Sequence, residues 1–303
     1  MSQFSQLHLL LTYQCPFECD HCFVWGSPFQ SGVMTIAQVR EILRQGQDLG
    51  QVNYVAIEGG EPFLYYATVL EAVREAKARR WWVDVLSNAY WAVSEEDALL
   101  WLRPLAQQGL DSLTVSEDAY HGSEGEDSPP RLAMEAAKGL GLHTSSISIL
   151  PALQSVGLPG ERPGEAITGR AVRFRGRAAE KLVEGLPRRF QWELTSCPHE
   201  NLADPIRMHF DPQGYAHICQ GLVMGNVWET PLAEMLRSYD GSRHPICGPL
   251  LAGGPAELAR AFEVPHAETY VDECHMCYEV RRALRRRAPH LLGPDQMYGV
   301  PGR

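Results

Sequence analysis

Short apolar runs and longer segments of helical period alternate through the first half of the chain. Leu7–Leu11 is an apolar run of strand length that leads into Cys15. Thr35–Leu49 puts Ile36, Val39, Ile42 and Leu43 on one helical face, with Thr35 as cap and Gln38 completing a capping box. Tyr54–Ile57 reads as a strand ending at Glu58-Gly59-Gly60-Glu61-Pro62, and Tyr66–Arg79 as a helix. Trp82–Leu86 is a strand ending at Ser87-Asn88. Ser94–Gln107 is a helix capped by Ser94, with Glu95, Glu96 and Asp97 in the first turn, where the helix dipole favours acids. Ser112–Val115 is a strand ending at Ser116-Glu117-Asp118, Arg131–Lys138 a helix, Thr144–Leu150 a fifth strand and Val172–Phe174 a candidate sixth. Ser123–Pro130 and Val156–Gly169 have the Gly, Pro and acid content of loops.

This βαβα order predicts a parallel sheet with right-handed crossovers. Cys15–Cys22, Gly59–Pro62, Ser87-Asn88 and Ser116–Asp118 each follow the C-terminal end of a successive strand. In a parallel barrel those ends share one rim, and the rim is where an active site lies. Segments about a hundred residues apart in sequence would therefore converge.

Composition narrows the picture. A chain of 303 residues with 45% hydrophobic and 21% charged residues is ordinary for a globular protein and long enough for one large domain or two smaller ones. No apolar run reaches membrane-span length, and the N-terminus lacks signal-peptide character, which makes the cytoplasm the expected compartment. Thiols stay reduced there, so clustered cysteines read as metal ligands or catalytic groups. A net charge of −10 argues against a nucleic-acid binder. The one basic block, Arg281–Arg287, reads as a solvated helix face, with an anion site as the alternative.

The eight cysteines fall in two groups, Cys15, Cys19 and Cys22 near the start, then Cys197, Cys219, Cys247, Cys274 and Cys277. The first three have the spacing C-x3-C-x2-C. Three thiolates on one short loop can hold three irons of a [4Fe–4S] cluster and leave one iron open. Zinc is the rival reading, with His21 or a distant Cys as fourth ligand. The Gly-Gly pair after a strand is, by itself, an ordinary turn, and Ser87-Asn88 an ordinary cap.

Taken together, Cys15-x3-Cys19-x2-Cys22 followed by Gly59-Gly60-Glu61-Pro62 resembles the radical S-adenosylmethionine (radical SAM) superfamily. The resemblance spans residues 7–150. It implies a partial (β/α)6 TIM-like barrel in which the three cysteines hold a SAM-binding [4Fe–4S] cluster. The Gly59–Pro62 segment would contact the methionine amino group of SAM. Ser87-Asn88-Ala89 and Ser116-Glu117-Asp118 are similar to the family's third- and fourth-strand segments near the methionyl and ribose parts, which marks Ser87, Asn88, Ser116 and Asp118 as cofactor-binding candidates. The residue before the third Cys is usually aromatic in the family and packs on adenine; here it is His21, which stacks more weakly and can titrate.

The C-terminal pattern, Cys197, then Gly214-x4-Cys219, then Cys274-x2-Cys277, resembles the auxiliary-cluster domain called twitch, a shortened SPASM domain. Gly225-Asn226-Val227, leading into a helix near Leu232 and Met235, is similar to the same domain. The resemblance implies that Cys197, Cys219, Cys274 and Cys277 ligate an auxiliary [4Fe–4S] cluster. Cys247 is left over, with a buried inert thiol, a displaced ligand and a catalytic hydrogen-atom donor as its readings. Arg175-Gly176-Arg177-Ala178 resembles a segment common before the auxiliary domain, where Arg175 and Arg177 would be salt-bridged surface groups or hold a substrate anion.

The expectation is therefore an α/β protein with a radical SAM barrel over residues 1–185, a smaller α+β twitch-type domain over 186–290 and a tail over 291–303. Its reaction would be reductive cleavage of SAM to a 5′-deoxyadenosyl radical that abstracts hydrogen from a substrate, with an external one-electron reductant. Peptide modification is the first reading. A small-molecule oxidoreductase of amino-sugar or alcohol dehydrogenase type is the second, and a zinc-binding structural or regulatory protein the alternative of another class. The first cluster cysteine lies fifteen residues from the N-terminus, so a peptide would need a docking mode other than an N-terminal recognition domain. Neither a nucleic-acid nor a membrane partner is expected.

Overall fold

A computed structural model describes residues 2–122, 125, 127–154, 166–167 and 172–300. Its first half alternates strand and helix: β1 (Gln6–Leu10), α1 (Ile36–Leu49), β2 (Tyr54–Glu58), α2 (Tyr66–Ala78), β3 (Trp82–Ser87), α3 (Glu95–Gln107), β4 (Ser112–Ser116), α4 (Pro129–Gly139) and β5 (His143–Ile147). The second half adds β6 (Arg207–Phe210), β7 (Tyr215–Cys219), β8 (Leu222–Asn226), α5 (Leu232–Ser238), α6 (Cys247–Ala261) and α7 (Glu273–Leu284). The start of α1 forms as its sequence predicts: Thr35 Oγ1 accepts the Gln38 N–H, and Gln38 Oε1 accepts the Thr35 N–H at 2.8 Å. Ser94 caps α3, and α4 opens on Pro129, inside the stretch expected to be loop. Most of the other loop-like stretch, Val156–Gly169, lies outside the described residues.

Eight strands make one sheet in the order β8–β7–β6–β1–β2–β3–β4–β5. The six from β6 to β5 are parallel, and β7 and β8 run antiparallel beyond β6. The architecture is mixed α/β on a parallel sheet, as in a partial TIM barrel. Alternation along the strands decides the layers. Leu7, Leu9, Val55, Ile57, Val83, Val85, Leu113, Val115, Met208 and Phe210 are fully buried in one core with the inner faces of α1 to α4 and of α5. A second core joins Leu10, Tyr13 and Val24 to Ile218, Leu222, Leu250, Leu258, Met276, Tyr278 and Tyr298.

Two expectations are corrected. Val172–Phe174 is no strand: Val172 N donates to Leu150 O at 3.2 Å, no ladder follows, and both side chains bury against Val271. The sixth parallel strand is β6, on the far side of β1, where Met208 and Phe210 supply apolar residues to the helix-side core. The sheet thus runs across the position expected to divide the chain, residue 185/186. The basic block is solvated only in part: Arg286 and Arg287 are exposed, while its first arginine is buried. Arg281 is 1% exposed and donates to the Gln220 carbonyl at 2.8 Å, Arg282 pairs with Glu180 and Glu279, and Arg287 donates to the Phe262 carbonyl. No helix among the described residues is long and apolar enough to cross a membrane.

Candidate active site and a second cysteine site

The chain leaving β1 carries Cys15, Cys19 and Cys22 over the C-terminal ends of the strands. A cavity of ≈ 170 Å³ there is lined by all three cysteines and His21, together with Glu58, Gly59, Gly60, Ser87, Asn88, Ser116 and Asp118. Nearly all of the residues expected around the first cluster therefore meet at one place. Apolar walls come from Phe17, Phe23, Val24, Leu86, Ile147 and Ile149.

Local geometry explains the residue types. Gly60 N donates to Thr12 O at 2.7 Å and Glu61 N to Gln14 O at 2.8 Å, so the loop after β2 lies flat on the segment leading to Cys15. A Cβ on Gly60 would stand 2.2 Å from Gln14 O, which only glycine avoids. Glu61 and Pro62 are buried but are not among the lining residues. The Glu61 carboxylate accepts the Ser87 hydroxyl at 2.9 Å, the Asn88 N–H at 2.7 Å and the Phe63 N–H at 3.0 Å, tying the ends of β2 and β3 together. Burial pushes its pKa up to about 7.

The sulfurs are already hydrogen-bonded. Cys15 Sγ accepts from Asn88 Nδ2 and Phe17 N, both at 3.4 Å, and Cys22 Sγ from Gly26 N at 3.2 Å. Burial pushes the Cys15 and Cys19 thiols up to about 12, so as free thiols they keep their protons at neutral pH and need a metal to become thiolates. None of the eight cysteines is in a disulfide. His21 rings with Tyr120 and His121 at centroid distances of 4.8 and 5.0 Å, and burial pushes its imidazole down to about 4, so it is neutral. Burial pushes the Asp118 carboxyl up, but hydrogen bonds from His121 and the Ile149 N–H carry it below its ordinary value. It remains an anion on the cavity wall.

Cys197, Cys219, Cys274 and Cys277 meet in a second, smaller cavity of ≈ 30 Å³, with Arg175, Glu200, Leu250, Pro255 and Arg281. Cys219 ends β7, and Cys274 and Cys277 share the first turn of α7, which Asp272 caps through the His275 N–H at 2.8 Å. Arg175 Nη1 donates to Cys219 Sγ at 3.1 Å, and Arg281 Nη2 reaches the same sulfur at 4.0 Å. Cys247 lies outside both linings. It is 0% exposed in the C-terminal core, beside Tyr239, with its thiol pushed up to about 12 by burial.

Arg175-Gly176-Arg177 joins the two sites, a role its sequence did not reveal. Arg177, 4% exposed, donates to the carbonyls of Cys19 at 2.6 Å and Gly26 at 2.8 Å, and its backbone N–H to that of Cys22 at 2.9 Å. Arg175 reaches the other way, to Cys219. Gly176 between them has φ +63°, and a Cβ there would stand 2.5 Å from Cys22 O. Both arginines are buried connectors that also pair with carboxylates, Arg175 with Glu200 at 3.3 Å and Arg177 with Glu18 at 3.6 Å, so they are salt-bridged as expected but not at the surface. Glu58 is a charged lining residue to which the sequence assigned no role. It closes β2 one residue before the Gly-Gly pair.

The model of the radical SAM superfamily matches residues 9–151. YydG of Bacillus subtilis (strain 168), a protein named for peptide biosynthesis, is 26% identical over 111 residues, 37% of this chain and 35% of that protein, so the match spans about a third of its length. Among solved structures, BtrN in complex with AdoMet and 2-DOIA superposes with a TM-score of 0.49 at 14% identity, covering 78% of this chain and 82% of that one. Streptococcus suis SuiB bound to precursor peptide SuiA gives 0.44 at 14% identity, covering 90% and 76%. Residues 9–151, which hold the three-cysteine loop and the three other strand-end segments at the first cavity, are a radical SAM domain.

Proposed function

We propose that this chain is a radical SAM enzyme that modifies a peptide. The observation that carries the reading is the first cavity, where three soft sulfur donors on one loop face the strand-end segments of a parallel sheet. The peptide assignment rests on the kinship with YydG. The donors fit a [4Fe–4S] cluster: three free cysteines, two of them already accepting N–H bonds of the kind that stabilise ligating thiolates. Cys15, Cys19 and Cys22 would hold it, with SAM bordered by Gly59, Gly60, Asn88, Ser116, Asp118 and His21. When bound, cluster and SAM supply reductive C–S cleavage and hydrogen-atom abstraction.

The chain's own residues orient and enclose. Arg177 fixes the cysteine loop through its carbonyls. Glu61 locks the β2 and β3 ends, which sets the positions of Gly60 and Asn88. Asp118 offers an anionic acceptor for hydroxyl or ammonium groups. Phe17, Phe23, Val24 and Ile149 give the cavity apolar walls. Cys197, Cys219, Cys274 and Cys277 would hold a second cluster, with Arg175 and Arg281 balancing thiolate charge. These residues lie in a domain over 186–290 that shares the barrel's sheet, and the group they hold would supply electron-transfer chemistry.

Anaerobically purified protein should hold about eight irons per chain and yield 5′-deoxyadenosine from SAM with dithionite. A short peptide encoded beside the gene should change mass on incubation. Stoichiometric zinc without labile sulfide would sink the reading. Turnover of an amino sugar and of no peptide would move it to small-molecule oxidation.

A further inference from the structure

The face of the parallel sheet opposite the helix-side core is polar. Strand register sets His209 of β6 beside His8 of β1, and His8 beside Ala56 of β2. Glu58, two residues beyond Ala56, falls on the same face. Ala56 is small, and the Glu58 side chain turns back toward the histidines. Its Oε1 meets His209 Nδ1 and lies 3.6 Å from His8 Nδ1. The two imidazole centroids are 4.7 Å apart. One donor atom from each of the three residues lies within 4.8 Å of the other two.

We propose that His8, Glu58 and His209 form a divalent-metal site, distinct from both cysteine groups, built on the adjacent strands β6, β1 and β2. Two imidazole nitrogens and one carboxylate oxygen are the donor set of a two-histidine, one-carboxylate face, which suits Zn2+, Fe2+ or Co2+ and leaves positions open. The second observation that points to a ligand is His8. Both its ring nitrogens are buried without a hydrogen-bond partner, a costly state that a metal bond would relieve. In the row of His8 and Ala56, β3 places Asp84, whose Oδ1 is likewise buried and unpartnered while Oδ2 accepts from Thr114 at 2.8 Å and Tyr54 at 3.2 Å. Glu58 also lines the first cavity. An ion held by it would border the reaction chamber and take an oxygen or nitrogen donor of the substrate, such as a carboxylate or amide.

The test uses cluster-loaded protein, so that the cysteines are occupied. Equilibrium dialysis against micromolar Zn2+, with zinc and iron both counted per chain, should show one zinc retained with iron unchanged. His8→Gln and His209→Gln should each weaken retention at least about tenfold, at unchanged iron content. If either histidine variant loses iron or fails to fold, Glu58→Gln, an isosteric change, replaces it in the same assay. Zinc X-ray absorption should show nitrogen and oxygen neighbours with imidazole outer-shell scattering. No stoichiometric zinc, retention indifferent to all three substitutions, or a Zn–S path near ~2.3 Å would each overturn the proposal. In the first two outcomes the triad is only a carboxylate–imidazole network.

Discussion

Around the first three cysteines the chain offers neutral N–H donors and an open cavity of ≈ 170 Å³; around Cys197, Cys219, Cys274 and Cys277 it offers two buried guanidinium groups and ≈ 30 Å³. Arg175 and Arg281 reach sulfur, at 3.1 and 4.0 Å from Cys219, whereas Arg177 donates to carbonyls of the first loop and pairs with Glu18 at 3.6 Å. A four-thiolate centre is a buried anion, and such a charge persists only where it is paired. The second site supplies that pairing from the protein and closes over it. The first leaves one side to whatever enters. On the proposed function, this contrast would separate a place for chemistry from a place for storing or passing charge.

The sharpest break of the comparison is ligand removal. Cys15→Ala should abolish 5′-deoxyadenosine formation and lower iron from about eight to about four per chain. Cys274→Ala should remove a similar amount of iron while SAM cleavage in the absence of substrate survives. Equal loss of cleavage in both variants would mean that the two sites are one functional unit. Cys247→Ser should leave iron and turnover near wild type, because that thiol lies in neither cavity.

Next is the charge itself. Arg281→Met leaves the sulfurs without their fully buried cation and Gln220 O without its donor, which should cost about 3–5 kcal/mol. Iron analysis should show loss from the second site, with SAM binding at the first intact. Arg175→Met should do less, since Arg175 shares its charge with Glu200. If Arg281→Met retains all of its iron, charge pairing is not what holds that site.

The two sites were unequally legible in the sequence. Local signals were reliable: the Thr35–Gln38 box, the Ser94 cap, and strand ends that carry Gly59-Gly60, Ser87-Asn88 and Ser116–Asp118 to one rim. Long-range pairing was not. Nothing near Arg207–Phe210 says that it lies parallel to β1, about two hundred residues earlier, while Val172–Phe174 has strand-like residues and no partner to ladder with. Burial of charge was equally hidden. Arg281 heads a basic run that reads as solvated, and only the fold places it under Gln220 and against Cys219. Glu58 went unremarked because its partners, His8 and His209, come from strands far apart in the chain.

Within the rim of the first site, Glu61 gives a pH signature that the second site does not share. Its pKa rises from 4.5 to about 7 through burial. Below pH 4.5 both folded and unfolded chains hold the proton. As pH climbs toward 7 the unfolded chain releases it and the folded one does not, so stability falls by about 3 kcal/mol over that window. Glu61→Gln should remove this slope. In urea unfolding, the stability difference between wild type and Glu61→Gln should fall by about 2–3 kcal/mol from pH 5 to 8. Parallel curves would show that the three hydrogen bonds keep the carboxylate charged.

The smallest effect concerns backbone strain beside Cys15. Ala89, directly after Asn88, has φ +58° and is fully buried, in the left-handed region where a side chain costs about 1 kcal/mol. By contrast Gly221, two residues after Cys219, occupies its φ of +77° as glycine. The turn at Ala89 is over-determined from outside. Ala89 N and Trp91 Nε1 both donate to Ser87 Oγ, and Tyr90 N donates to Asn88 Oδ1. Those bonds hold Asn88 Nδ2 on Cys15 against the strain. Ala89→Gly removes the penalty but loosens the unfolded chain, so a net gain of about 0.5 kcal/mol is expected, read as a small rise in thermal midpoint with iron unchanged. A fall in stability instead would mean that the Ala89 methyl contributes more to the core under the rim than its backbone conformation costs, and that the first site is as well packed as the second.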